Sequence, residues 1–169
     1  MTLVVNDANV LIDFIKLAIL KPFFELDFEF YTTDFVLYEL HEHQQEQLES
    51  YIKQDILKIR TFKTEEILEV LQLQQQKPQL SPQDCSAFYC AQELNANLLT
   101  SDKLLRQWAE EKQVEVHGHL WILDQMVNAE KITGEKAKDC LHQLQTSINP
   151  KLGLSKGLCQ PFLERWLKK

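Results

Sequence analysis

The stretch Leu3-Val4-Val5-Asn6-Asp7-Ala8-Asn9-Val10-Leu11-Ile12-Asp13-Phe14 decides how the rest of the chain is read. Leu3-Val4-Val5 is a short apolar run rich in β-branched residues, the pattern of a strand buried on both faces in a parallel sheet. The run stops at Asn6-Asp7, and the apolar spacing then becomes helical. Val10, Leu11, Phe14, Ile15 and Ala18 share one face of a helix expected over 9–20, with Pro22 as its terminator. A buried strand that ends on an aspartate and feeds a helix is the opening of an α/β unit.

Outward from this unit the alternation continues. A second strand is expected at Phe28–Thr32, where aromatic and β-branched residues concentrate, and Thr33-Asp34 then cap a long helix from about 35 to 54. Ile56 to Phe62 alternate as a half-buried strand. Thr64 caps a Leu- and Gln-rich helix that ends before Pro78. Ser81-Pro82-Gln83-Asp84 is a helix start with Ser at the cap, Pro at the first position and an acid at the third. Its helix runs to about Asn95 and is followed by the strand Leu98-Leu99-Thr100, a helix opened by Ser101-Asp102, and a last strand over 114–117. Helices are expected at about 119–129 and 133–145, with an amphipathic segment at 161–167. Such alternation predicts a three-layer α/β fold with a parallel central sheet and helices on both faces. Thr146–Gly157, with Pro150 and two glycines, is the one linker-like region. The expected organisation is a core over 1–130 and a short C-terminal helical extension, 131–169, of the same domain.

Composition narrows the function classes. The chain has 169 residues, 44% of them apolar, enough for a packed core and against disorder. With 25 acidic and 18 basic residues its formal charge is −7, which argues against broad nonspecific nucleic-acid binding but not against a local site. Four cysteines form no C-x-x-C pair and no zinc spacing, so a reducing cytoplasm is expected. Asp7, Asp13 and Lys16 interrupt the first apolar stretch, and no run of eighteen apolar residues occurs; neither a membrane span nor a membrane partner is expected. The absence of G-x-S-x-G, P-loop and G-x-G-x-x-G patterns sets aside the corresponding hydrolases, NTPases and dinucleotide enzymes.

Chemistry is therefore sought in the acids. In open α/β sheets ligands bind outside the carboxyl ends of the strands. Asp7 and Asp102 are the first charged residues after two buried strands. Asp84 lies in the first turn of its helix on a face with Ala87, Phe88, Ala91 and Leu94, and Glu39 shares a face with Phe35 and Val36 early in its own. Four such acids at one sheet edge repel unless a cation neutralises them, and hard divalent ions such as Mg²⁺ or Mn²⁺ suit oxygen ligands. Metal-assisted phosphodiester hydrolysis is the matching chemistry. Each acid also has a structural reading: Asp84 as half of a capping box with Ser81, Asp102 as a helix cap, Asp7 in a turn, Glu39 as a solvated charge.

The segments carrying these acids resemble, in order, the motifs of PIN-domain nucleases. Asp7-Ala8-Asn9-Val10-Leu11-Ile12-Asp13-Phe14 is similar to the opening motif. Thr32 to Leu40 resembles the second, with Glu39 at its acidic position. Ser81 to Ala87 resembles the third, with Asp84, and Leu98 to Leu105 the fourth, with Asp102. Val116 to Leu123 is similar to the last strand and helix entry of toxin-type, VapC-like members. The resemblance covers about residues 2–130. It implies a PIN-like fold and a Mg²⁺- or Mn²⁺-dependent endoribonuclease with a two-metal-type site, in which Asp7, Glu39, Asp84 and Asp102 are catalytic and bind metal. Asn9, Thr100 and Ser101 match supporting polar positions, and Asp13 is at most an outer residue. By the same resemblance, toxin-type members cut RNA, form homodimers and are held inactive by an antitoxin protein. The rival expectation is a catalytically inactive PIN-like scaffold that binds protein or RNA.

Other features read as structural. His41 and His43 stand two apart on a helix and so are not expected on one face. Cys85 and Cys90 fall in an apolar helix and are expected to pack. Trp108, Trp121 and Trp166 are expected as core or interface anchors. Lys16, Lys21, Lys103 and Arg106 flank the expected mouth, where contact with phosphate competes with simple solvation.

Overall fold

A computed structural model describes residues 1–168 as an α/β fold: a five-stranded, all-parallel sheet flanked by helices. The elements are β1 (Thr2–Asn6), α1 (Ala8–Lys16), α2 (Leu20–Phe24), β2 (Phe28–Thr33), α3 (Asp34–Glu39), α4 (Glu42–Lys53), β3 (Leu57–Arg60), α5 (Thr64–Gln76), α6 (Pro82–Leu94), β4 (Asn97–Leu99), α7 (Lys103–Glu111), β5 (Val116–His117), α8 (His119–Asn128), α9 (Gly134–Gln143) and α10 (Lys156–Trp166). A π-helical turn, Leu144–Ile148, and a 3₁₀ turn, Pro150–Leu152, join the last two helices.

Strand order is β3-β2-β1-β4-β5. Central β1 pairs with β2, Val4 opposite Phe30, and with β4, Val5 opposite Leu98. Val4 and Val5 are fully buried, which is why the run carries no polar alternation. The chain lays down β2 and β3 on one side of β1 before crossing to β4 on the other. The order thus reverses between β1 and β4, and the crevice at their carboxyl ends is the topological switch point where such sheets bind ligands.

Two compact units divide the chain. The first, Met1–Ile12 with Asp27–His117, contains the whole sheet. Its centre is α6, which packs against β1, β2 and β4 and is buried without a break from Cys85 to Ala91. The second unit comprises Asp13–Leu26 and the chain from Gly118 onward. Within it Phe14 meets Phe23 edge to face at 4.9 Å. The Trp166 indole N–H donates to Asp124 (2.9 Å), tying α10 to α8. Gly134 opens α9 against the backbone of Trp166, where a Cβ would stand 1.8 Å from the carbonyl oxygen.

Three helix boundaries differ from the sequence reading. The helix expected over 9–20 stops at Lys16, because Ala18 turns left-handed (φ 56°) and the Ile19 N–H closes the end on Phe14 C=O at 3.1 Å. Pro22 lies instead in the first turn of α2, where its missing N–H costs nothing. The single helix expected over 35–54 is two, broken by extended backbone at Leu40 and His41. Gln44 Oε1 accepts the His41 N–H (3.0 Å) and Gln45 Nε2 donates to Leu40 C=O (2.9 Å), satisfying the groups that the break frees. Lys63, not Thr64, is the cap of α5, its N–H held by Glu66 Oε2 at 2.8 Å.

Candidate active site

Asp7 sits directly after β1, and its N–H donates to Leu99 C=O (3.0 Å), carrying the β1–β4 ladder one residue further. Its Oδ1 accepts the Ala8 N–H (2.8 Å), and its Oδ2 accepts the Thr100 hydroxyl (2.7 Å). Thr100 Oγ1 in turn accepts the N–H of Asp102 at 3.1 Å. One buried hydroxyl therefore links the acids that follow β1 and β4.

Asp102 caps α7, its Oδ1 accepting the Leu105 N–H at 2.7 Å. Asp84 and Ser81 cap α6 reciprocally: Asp84 Oδ2 accepts the Ser81 N–H (2.9 Å), and the Asp84 N–H donates to Ser81 Oγ (3.0 Å). The capping readings of both acids are real, yet each uses a single carboxylate oxygen. The other oxygen has no hydrogen-bond partner among the described residues. Glu39 is the last residue of α3, not an early one as its spacing suggested, and no hydrogen bond or cation reaches its carboxylate among the described residues.

Electrostatics join the four. Burial pushes Asp7, only 2% exposed, up to about 7; repulsion from Asp84 and Glu39 adds to this, and the bonds from Thr100 and Ala8 offset it in part. Glu39 is raised by desolvation and then by Asp84. Asp84 is raised by burial and by Asp102, against its hydrogen bonding with Ser81. None of the four acids has an ion-pair partner among the described residues.

A divalent cation fits this donor set: hard oxygens, several of them uncommitted, whose mutual repulsion a cation relieves. Among the described residues no three His, Cys, Asp or Glu side chains already form a ligand cluster. With no three such ligands placed together, an ion held here would keep several of its waters, as Mg²⁺ commonly does. Asn9 is exposed in the first turn of α1, and Ser101 is half-buried between Thr100 and Asp102; the structure gives neither a hydrogen bond to an acid.

Other polar residues stand close by in the sequence without having been singled out there. Asn6 is buried, donating through Nδ2 to Tyr31 C=O (3.1 Å) and accepting the Thr32 hydroxyl on its backbone oxygen (2.8 Å), while its Oδ1 has no partner among the described residues. Thr33 and Ser86 share a buried hydrogen bond of 2.7 Å across 53 residues of chain. Position alone signals Asn6, as a polar residue ending a buried strand; nothing in the sequence pairs Thr33 with Ser86.

Several alternatives narrow. His41 and His43 stack with ring centroids 6.0 Å apart, side by side after all, because His41 lies outside the helix. Arg106 is engaged with Val116 C=O at 3.2 Å and Glu110 at 3.5 Å. Burial pushes the Cys85 thiol up to about 11 and the Cys90 thiol to about 12, so neither is a thiolate near neutrality. Trp108 and Trp166 are buried, Trp108 against Phe88 at 4.4 Å. No helix among the described residues is long and apolar enough to cross a membrane.

Among curated proteins none matches the chain. Residues 3–167, nearly its whole length, match the model of the family DUF3368, a PIN domain. PIN domains are in general nucleases and typically use divalent metal ions. The chain belongs to the PIN-domain family.

Proposed function

We propose that the protein is a Mg²⁺- or Mn²⁺-dependent endoribonuclease of the VapC-like toxin type. The observation that carries this reading is the set Asp7, Glu39, Asp84 and Asp102, linked by mutual repulsion around the switch point of the sheet, with Asp7 raised to about 7. A buried carboxylate, Asp7, repelled by neighbouring acids and without a counter-charge reduces stability, and such costs concentrate where chemistry is done.

A bound divalent ion supplies Lewis-acid polarisation of the scissile phosphate and eases ionisation of the attacking water. The chain's own residues do the rest. Thr100 holds Asp7 in place and fixes the start of α7, so Asp7 and Asp102 keep a set relation. The caps at Asp84 and Asp102 orient each carboxylate with one oxygen bound and one free. Attack of water on phosphorus with departure of the 3′-oxygen leaves a 5′-phosphate and a 3′-hydroxyl. Charge weighs little against the substrate: the four acids set aside, 21 remain against 18 bases, close to balance.

The purified protein should cut RNA only with Mg²⁺ or Mn²⁺ present, and Asp7→Asn and Asp102→Asn should lose cleavage while melting cooperatively. Undiminished cleavage by either variant removes the assignment. The toxin role, the antitoxin partner and the homodimer rest on the resemblance of the motifs. They predict growth arrest on expression of the wild type but not of Asp7→Asn, relief by a small partner protein, and twice the chain mass in light scattering. The rival, a scaffold without catalysis, draws on the capping roles of Asp84 and Asp102, which give both acids structural work. It expects no thermal stabilisation by Mn²⁺.

A further inference from the structure

We propose that Thr33 and Ser86 are positioning residues for the acid site, their buried hydroxyl pair locking α3, which ends at Glu39, to the first turns of α6, which carry Asp84. The proposal rests on the metal-site reading above.

The bonds form a directed chain. Ser86 Oγ donates to Gln83 C=O at 2.7 Å, so its own proton is committed. The Thr33 hydroxyl must then be the donor in the 2.7 Å contact with Ser86 Oγ. Thr33 Oγ1 meanwhile accepts the Val36 N–H at 3.0 Å, capping α3. Both residues are fully buried. Each local bond exists without the partner: Thr33 would cap α3 in any case, and Ser86 bonds within its own helix. The bond between them has a different consequence, because it joins two helices.

Those helices carry acids that repel, Glu39 six residues after Thr33 and Asp84 two before Ser86. Two short spacers, one of under two helical turns and one of about half a turn, separate the bond from the carboxylates, so freedom gained at the bond reaches both acids. Left to themselves, the like charges favour a wider separation than a shared cation requires. A satisfied buried hydrogen bond between the helices resists that widening, as outer residues around metal sites commonly do.

Mn²⁺ affinity, read by titration of the free-ion spin-resonance signal, tests this in the wild type, Ser86→Ala, Glu39→Gln and the double variant. Ser86→Ala should weaken Mn²⁺ binding roughly tenfold. In the Glu39→Gln background its effect should be clearly smaller, because the bond sets Glu39 relative to Asp84 and position 39 no longer supplies a carboxylate. Thr33→Ser, which keeps the hydroxyl, should bind Mn²⁺ as the wild type does. The proposal is overturned if Ser86→Ala lowers the melting temperature yet leaves Mn²⁺ affinity unchanged, or weakens binding equally in both backgrounds. Should Ser86→Ala fail to fold, Ser86→Cys, a weaker acceptor of similar volume, is judged by the same outcomes. A wild type that takes up no Mn²⁺ removes the metal-site reading along with this one; a wild type that binds it beside an unchanged Ser86→Ala removes the positioning role alone.

Discussion

Asp7 and Asp13 lie six residues apart in the sequence and are both buried, 2% and 4% exposed, but their surroundings are opposite. Asp13 Oδ2 accepts from His119 Nε2 at 2.8 Å and from Asn149 Nδ2 at 2.9 Å, so donors from distant parts of the chain converge on one acid. Asp7 has two hydrogen bonds, but the charged groups around it are other acids. A carboxylate surrounded by donors is a structural element, held as it holds others. A carboxylate surrounded by carboxylates reduces stability and has to be explained by what neutralises it. Burial alone does not tell the two apart; the sign of the neighbours does.

Removing each acid should therefore have opposite effects. Asp7→Asn should reduce RNA cleavage by about a thousandfold or more, as loss of a metal ligand does, while stabilising the metal-free protein. The gain is pH-dependent. Asp7's folded value of about 7 lies above its ordinary 3.8, so between these values the folded state binds more protons and stability falls as pH rises. The variant's advantage should be absent below about pH 4, grow through that window and level off above about pH 7, at no more than about 4 kcal/mol. Melting temperatures of wild type and variant across this range check it; a variant less stable than the wild type at every pH breaks the contrast. Asp13→Ala should destabilise by about 3 kcal/mol, since it strands the buried donor of His119 and the half-buried one of Asn149, and denaturant unfolding measures this. Smaller again, Thr100→Val keeps the volume but takes the hydroxyl from Asp7. Cleavage should fall about tenfold, and the pH at which half-maximal cleavage is reached should move upward, because a bond that lowers Asp7 is lost.

The sheet and the acids were legible for the same reason: burial on both faces strips a strand of polar residues, so the first charge after it marks the strand's end. Leu3-Val4-Val5 before Asp7 and Leu98-Leu99 before Asp102 show this directly. The cap at Ser81-Pro82-Gln83-Asp84 was equally plain, since capping is local chemistry. What stayed hidden depends on contacts distant in sequence or on breaks without the usual punctuation. No glycine or proline marks the turn at Ala18 or the break at Leu40-His41, where Gln44 and Gln45 supply the missing hydrogen bonds from within the following helix. That break is why Glu39 ends a six-residue helix. Asp13 meets Asn149 across 136 residues and Thr33 meets Ser86 across 53, and no periodicity encodes either pairing.

Everything proposed for the site requires that the acids at the mouth of the sheet repel until a divalent cation joins them. Thermal melts at about pH 8, with Mn²⁺ raised into the millimolar range, test it most directly on wild type and Asp7→Asn together. Wild type should begin below the variant and rise with Mn²⁺, gaining about 2.7 kcal/mol at a hundredfold excess over its dissociation constant, while the variant responds far less. A wild type that starts above the variant and does not shift with Mn²⁺ contradicts the claim.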